Sequence, residues 1–421
     1  MTTLVAASAL DAWIDAHFDE EVRFLQALVR VPTDTPPGNN APHAERTTAL
    51  LAAFDFFAES HHVPADRVRD YGLQSLTNLV VRRSYGDPTA DGGRVIGLNA
   101  HGDVVPPGEG WTHDPYGGAI VDGQLYGRAS AVSKSDFATY VFATRAIETL
   151  HQHLRGGVEL YFTYDEEFGG TLGPGWLLEQ GLVKCDLLVA AGFSYQVVTA
   201  HSGCLQMEVT VHGRMGHAAV PDTAIDALQG AVAILNALYA RNTAYKQVTS
   251  GVPGIAHPYI NVGRIEGGTN TNVVPGTVVL KLDRRMIPEE DPATVEQEIR
   301  DTIAQAAATR AGVRVDIRRL LLAHPLKPLP GNAPLVEAIR RNAARVFGEE
   351  IPVCGTPLYT DARLFSERGI PAVIYGAGPR TVLESNAKRA DEHLDLEDLR
   401  KATKVVARSL FELLAKAPDA A

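Results

Sequence analysis

Short β-rich runs alternate with helical ones along this chain, and one block of different texture interrupts them. No other feature constrains the fold as much. "NLVVRRS" and "RVIGLNAHGD" read as strands, "SDFATYVFATRAIETLHQH" as a helix, "GVELYFTYDEE" as a strand, "LGPGWLLEQGL" as a helix and "CDLLVAAGFS" as a strand. Such alternation specifies an α/β layered domain built on a largely parallel sheet. Ahead of it, "ALDAWIDAHFDEEVRFLQALVRV" and "ERTTALLAAFDFFAES" repeat apolar residues at helical spacing, and both read as helices. The loop "PTDTPPGNNAPH" separates them. Past Ala200 the texture changes. "LQMEVTVHGRM" alternates apolar and polar residues like a half-exposed antiparallel strand. The helix "DALQGAVAILNALYAR", the strands "YINVGRIEGG" and "GTVVLKLDRRMIP", the helix "ATVEQEIRDTIAQAAATRAG" and the strand "VRVDIRRL" follow. The order β-α-β-β-α-β is that of a ferredoxin-like sandwich. The α/β texture resumes at "NAPLVEAIRRNAARVFG", "IPAVIYGAG" and "DLRKATKVVARSLFELLAKA". The expected organisation is a discontinuous α/β domain, 1–199 and 320–421, with a ferredoxin-like α+β domain, 200–319, inserted.

The 421 residues exceed what one hydrophobic core supports, which agrees with two domains. A net charge of −11 argues against nucleic acid and anionic membrane as partners. No apolar run approaches the ~20 residues of a membrane-spanning helix. The N-terminus, "MTTLVAASALDAWIDAHFDEE", carries acids early and lacks the basic segment of a signal peptide. Cys185, Cys204 and Cys354 are scattered, with no CxxC pair and no disulfide framework. A cytoplasmic, reducing location is the expectation.

Ligands and catalytic groups in α/β sheets collect at the carboxyl ends of strands. Four pieces of sequence fall there: His101-Gly-Asp103 after "VIGLNA", Asp165-Glu166-Glu167 after "VELYFTY", Asp361 in "TPLYTDARLF", and the segment after "AVIYGAGP". A histidine among clustered carboxylates suits Zn²⁺ or a similar cation, with a free glutamate as base for a bound water. Any one of these acids could instead cap a loop or helix. The set, in this order, argues for a site.

The stretches "AHGDVVPPGEGWTHDPYGGAIVDGQLYGR", "TYDEEFGG", "GRMGHAAVP", "EGGTNTNVVP", "DRRMIP" and "TDARLFSERGIPAV" resemble the acetylornithine deacetylase, succinyl-diaminopimelate desuccinylase and carboxypeptidase G family of zinc metallopeptidases. The likeness covers essentially the whole chain. It implies a phosphorylase/hydrolase-like α/β catalytic domain and an inserted lid domain that makes a homodimer through 200–319. It also implies a small amino-acid-like or amide-bearing substrate, such as an N-acyl amino acid or a dipeptide. By the same resemblance His101 matches the first zinc ligand and Asp103 the acid that orients it. Glu166 matches the general base, and Glu167 a ligand of the second metal. His217 matches the histidine that reaches the scissile carbonyl, and Asn272 and Arg285 match positions that hold the substrate's carboxylate or polar end. A guanidinium suits that task because it binds a carboxylate through two parallel hydrogen bonds.

Three positions depart from the family pattern. The aspartate that bridges both metals is replaced by Val132 in "YGRASAVSK". The acid expected after the paired glutamates is replaced by Gly192 or Phe193 in "LLVAAGFSYQ". The last histidine is replaced by Lys388 in "NAKRADEH". Each metal would keep a single protein ligand, His101 or Glu167, where a catalytic zinc needs about three. The expectation is an enzyme of this family without the usual zinc pair and with no cofactor, in which Glu166, His217 and Lys388 carry the chemistry. That chemistry is hydrolysis, or metal-free acid/base work such as isomerisation, racemisation or elimination. One alternative is a conventional zinc-dependent amidohydrolase with ligands re-sourced from Glu384, Asp391 and His393. Another is a non-catalytic binding protein on this scaffold. Whether Lys388 points into the site or to solvent is open at this stage. Ser130 and Ser133 beside Lys134 suggest a Ser–Lys nucleophile, but the spacing fits poorly.

Overall fold

The computed structural model describes residues 3–86 and 93–416. The chain divides into two compact units. One comprises Met1–Thr199, Pro328–Val353 and Thr360–Ala421, and the other Ala200–Lys327 and Cys354–Tyr359.

The first unit is built on a sheet whose strands in spatial order are Ala58–His62, Thr77–Tyr85, Gly156–Thr163, Val95–His101, Leu187–Ala190 and Ala372–Ile374. Its centre is parallel: Val95–His101 pairs in parallel with Gly156–Thr163 on one side and with Leu187–Ala190 on the other. Gly156–Thr163 is buried at every position, so it reads as a continuous apolar run without alternation. The helices Thr3–Val29, Lys134–Glu148 and Leu396–Leu414 bury their apolar faces in the same core.

One element differs from expectation. "ERTTALLAAFDFFAES" is not a single helix: the helix Ala41–Ala52 stops, and Ala58–His62 becomes the strand at the sheet's edge. Asp55 takes a left-handed conformation (φ 58°), and the Phe56 N–H bonds back to the Leu51 carbonyl. That is how helices commonly end. The aromatic spacing that mimics a helix is Phe54 and Phe56 packing around this turn into the core. A second sheet of three short strands, Ala119–Val121, Gln124–Tyr126 and His393–Asp395, carries no periodicity that sequence could show.

The second unit is a four-stranded antiparallel sheet in the spatial order Tyr259–Gly267, Thr277–Met286, Gly203–His212, Arg314–Ala323. Burial alternates along Gly203–His212 and Thr277–Met286, as one-faced strands require. The helices Ala227–Tyr245 and Pro292–Ala308 pack on the buried face through Ile234, Leu238, Ile299 and Ile303. Both are capped by an aspartate, Asp226 and Asp291, whose side chain accepts the first free N–H groups. The topology is ferredoxin-like. Among the described residues no helix is long and apolar enough to cross a membrane.

Candidate active site

In the first unit, His101 stands opposite Thr163 in the parallel register. The segments that follow the two strands therefore emerge side by side at the carboxyl end of the sheet. Asp103, fully buried, accepts the Glu166 N–H (3.2 Å) and the Glu167 N–H (3.0 Å). The same carboxylate lies 3.4 Å from His101 Nδ1, whose Nε2 is 3.9 Å from Glu166 Oε2. Asp103 thus splints the acidic turn and orients the imidazole. Burial raises the Glu166 carboxyl to about 7, with His101 opposing the shift and Glu167 adding to it. Burial by itself would lower the His101 imidazole; Glu166, Asp103 and Glu167 carry it instead to about 10. The pair is an imidazolium beside a carboxyl poised near neutrality, the condition for general acid–base work.

Lys388 comes to this cluster. Its Nζ lies 2.7 Å from Glu167 Oε2, while its stem leaves the side chain 61% exposed. Desolvation opposes the ammonium form, but Glu167 and then Glu166 favour it and raise the group above the ordinary lysine range. Asp361 is also buried here, and both its oxygens lack a hydrogen-bond partner among the described residues. Burial, then Glu166 and Asp165, hold its carboxyl well above the usual range. Gly170 is required beside it: its φ is +70°, and a Cβ there would lie 2.2 Å from Asp361 Oδ1.

Val132 is half-buried in the loop that leads to the helix Lys134–Glu148. The preceding Ala131 N–H and the Lys388 N–H both point at the Glu392 carboxylate (3.3 and 3.4 Å), so this loop and the Lys388 turn lie together. Gly192 has no room for a ligand side chain, because a Cβ would sit 2.2 Å from Ile374 Cγ2. Phe193 is buried and bridged to Gly378. The residues proposed as re-sourced ligands have other partners. Asp391 takes the Thr112 N–H and hydroxyl, Glu384 takes the Arg380 N–H, and the His393 ring packs on Tyr126. Among the described residues no group of three or more His, Cys, Asp or Glu side chains could hold a metal ion. The donors present do not fit a paired-zinc centre: one position is apolar, one has no space, and the third brings its own positive charge.

The Ser–Lys arrangement does not form. Lys134 is buried and donates to the Val31 carbonyl (2.9 Å), and Ser133 Oγ accepts the His101 N–H (3.2 Å). Arg128 and Glu392, a buried ion pair at 2.6 Å, escaped the sequence reading. Each looks like a surface charge in one dimension.

In the second unit, Gly216–His217 pairs with Val273–Val274, and the Ala218 N–H donates to the Asn272 carbonyl (3.0 Å). The fold therefore brings His217 and Asn272 together, both exposed. Arg285 donates from Nε to Asp283 Oδ1 (2.7 Å) and lies over the Tyr359 ring. Asp283 also accepts from Gln206 (3.1 Å) and from the Cys204 thiol (3.3 Å), which fixes the guanidinium's orientation.

A layered α/β sheet with acids and a histidine at its strand ends, joined to a ferredoxin-like unit, defines the architecture of the aminoacylase-like metallopeptidases. Residues 97–412 match peptidase family M20/M25/M40, and the chain belongs to that family. It is an amidohydrolase acting on carbon–nitrogen bonds. It is 28% identical over 401 residues to a succinyl-diaminopimelate desuccinylase of Thioalkalivibrio sulfidiphilus, covering 92% of this chain and 97% of that one. The structure is similar to human carnosine dipeptidase 1 (TM-score 0.74, 19% identity, 97% of this chain and 98% of that one). It is also similar to a Bacillus subtilis protein described as a dinuclear metal binding peptidase from the M20 family (TM-score 0.66, 16% identity, 96% and 100% covered). These likenesses run to enzymes, and to a metal-binding one. They lend no support to a non-catalytic binding protein or to metal-free chemistry.

Proposed function

We propose that this protein hydrolyses an amide bond in a small N-acyl amino acid or dipeptide-like substrate, with the Lys388 ammonium in place of the zinc pair. The observation that carries the reading is the 2.7 Å ion pair between Lys388 and Glu167 at the carboxyl end of the sheet. Charge balance supports it. Two divalent cations would need the acids that Val132 and Gly192 or Phe193 replace, whereas His101 and Lys388 offset the carboxylates that remain. Glu166 takes a proton from water as the oxygen attacks the carbonyl carbon. The developing oxyanion is stabilised by the His101 imidazolium. Glu166 then returns the proton to the leaving nitrogen as the C–N bond breaks. Arg285 and Asn272 hold the substrate's carboxylate or polar end.

The test is metal analysis of protein purified without chelator, with hydrolysis of N-succinyl and N-acetyl amino acids and dipeptides followed by mass spectrometry. The expected result is substoichiometric metal, turnover that persists in chelator, and a loss of roughly 10²-fold or more in kcat for Glu166→Gln. Stoichiometric metal whose removal abolishes turnover overturns it.

The same reading includes a homodimer through the second unit. Leu228, Val232 and Tyr239 are 43%, 44% and 48% exposed along the helix Ala227–Tyr245, and Ile265 is 52% exposed on the edge strand Tyr259–Gly267. An apolar helix stripe beside a free strand edge suits a second copy related by two-fold symmetry.

A further inference from the structure

The Lys388 turn is held in a costly conformation. Asn386, Lys388 and Asp391 have φ of 52°, 64° and 53°, all in the left-handed region and none of them glycine. Such backbone persists only where the surroundings over-determine it. Those surroundings converge on one residue. Glu392 is 2% exposed. Its Oε2 accepts Arg128 Nη1 (2.6 Å) and the Lys388 N–H (3.4 Å), and its Oε1 accepts the Ala131 N–H (3.3 Å). Its carbonyl takes the Gly127 N–H (2.9 Å) and the Ser130 hydroxyl (3.4 Å). Arg128 in turn donates to the Pro107 carbonyl (2.9 Å) and lies over the Trp111 ring. One carboxylate and its guanidinium therefore join three loops: 104–116, 127–132 and 385–392.

We propose that Glu392 is a positioning residue of the active site: its buried carboxylate clamps the Lys388 turn against the 127–132 loop and so holds the ammonium on Glu167. This rests on the reading of Lys388 given above. The Lys388 side chain is 61% exposed, so the position of its ammonium depends on the backbone beneath it. The arrangement is strong for a defined reason. A charge-assisted network in a water-poor setting is rigid when satisfied, and it loses its geometry when one partner is removed.

The test is limiting acylation of the full-length protein with acetic anhydride. Peptide mass spectrometry reads the labelling of Lys388 against that of exposed Lys246 in the same sample. A change in overall stability moves both lysines, whereas release of the turn moves the ratio. Glu167→Gln, which removes the partner of the ammonium, is expected to raise the ratio roughly 3-fold, the scale of a partly exposed ion pair. Glu392→Gln is expected to raise it by a similar factor with Glu167 intact. Because Glu392→Gln leaves Arg128 buried without its partner and could prevent folding, Arg128→Met/Glu392→Met removes both charges together and is expected to give the same rise. If Glu167→Gln raises the ratio and neither Glu392 variant does, the clamp is wrong and the Lys388–Glu167 pair stands. If Glu167→Gln itself leaves the ratio unchanged, the ion pair fails, and with it the reading of Lys388 on which the clamp rests.

Discussion

At the scale of single residues, the site is decided by which side chains meet Glu167. Lys388 does so through a 2.7 Å contact, and Val132 stands in the adjoining loop. Val132→Asp/Lys388→His would remove the resident cation and supply two donors beside Glu167, the roughly three protein ligands a zinc ion needs. The expected outcome is uptake of close to one zinc per chain by the double variant, measured by elemental analysis after dialysis, against substoichiometric uptake by the parent. Equal and low uptake by both would show that Val132 and Lys388 do not flank one metal position. Gly192 offers no such route, since Ile374 occupies the space a side chain would need. None of this is visible in the motif alone. "YGRASAVSK" shows that an acid is missing but not what fills the gap.

At the scale of elements, the helix Thr3–Val29 carries a cost that its sequence conceals. Glu21 lies in its apolar stripe, fully buried, with Oε1 accepting the Thr403 hydroxyl (2.6 Å) and Oε2 without a partner among the described residues. Burial raises the carboxyl from an ordinary 4.5 to about 8, with the Thr403 bond opposing. Between those values the folded chain holds a proton that the unfolded chain has released. The stability this group contributes is therefore full below the unfolded value and is lost as pH rises towards 8. Urea unfolding of Glu21→Gln and the parent at about pH 5 and about pH 8 should show a stability loss in the parent that is smaller in the variant by a few kcal/mol. Parallel losses would mean that Glu21 ionises normally. The helix itself was legible from its apolar period. The charge state of Glu21 was not, because it depends on the helix Leu396–Leu414 packing over it from the far end of the chain.

At the scale of the whole molecule, the exposed stripe Leu228, Val232 and Tyr239 predicts self-association. Sedimentation velocity should find a dimer, and Val232→Glu, which places a charge in a desolvated contact, should shift it to monomer with the fold retained by circular dichroism. A parent that sediments as a monomer would refute the interface. Local pattern alone pointed to the α/β class and the inserted β-α-β-β-α-β unit, because periodicity and turn chemistry are properties of neighbouring residues; the family acting on carbon–nitrogen bonds came from the resemblance of whole motifs, not from periodicity. Periodicity misjudged "ERTTALLAAFDFFAES", where a turn at Asp55 ends the helix early. Only the tertiary structure decided that the Lys388 ammonium lies on Glu167, that Gly192 has no space, and that Arg128 and Glu392 close a buried pair 264 residues apart in sequence. Charge state, space and contact across such separations are properties of the packed chain, and no local pattern encodes them.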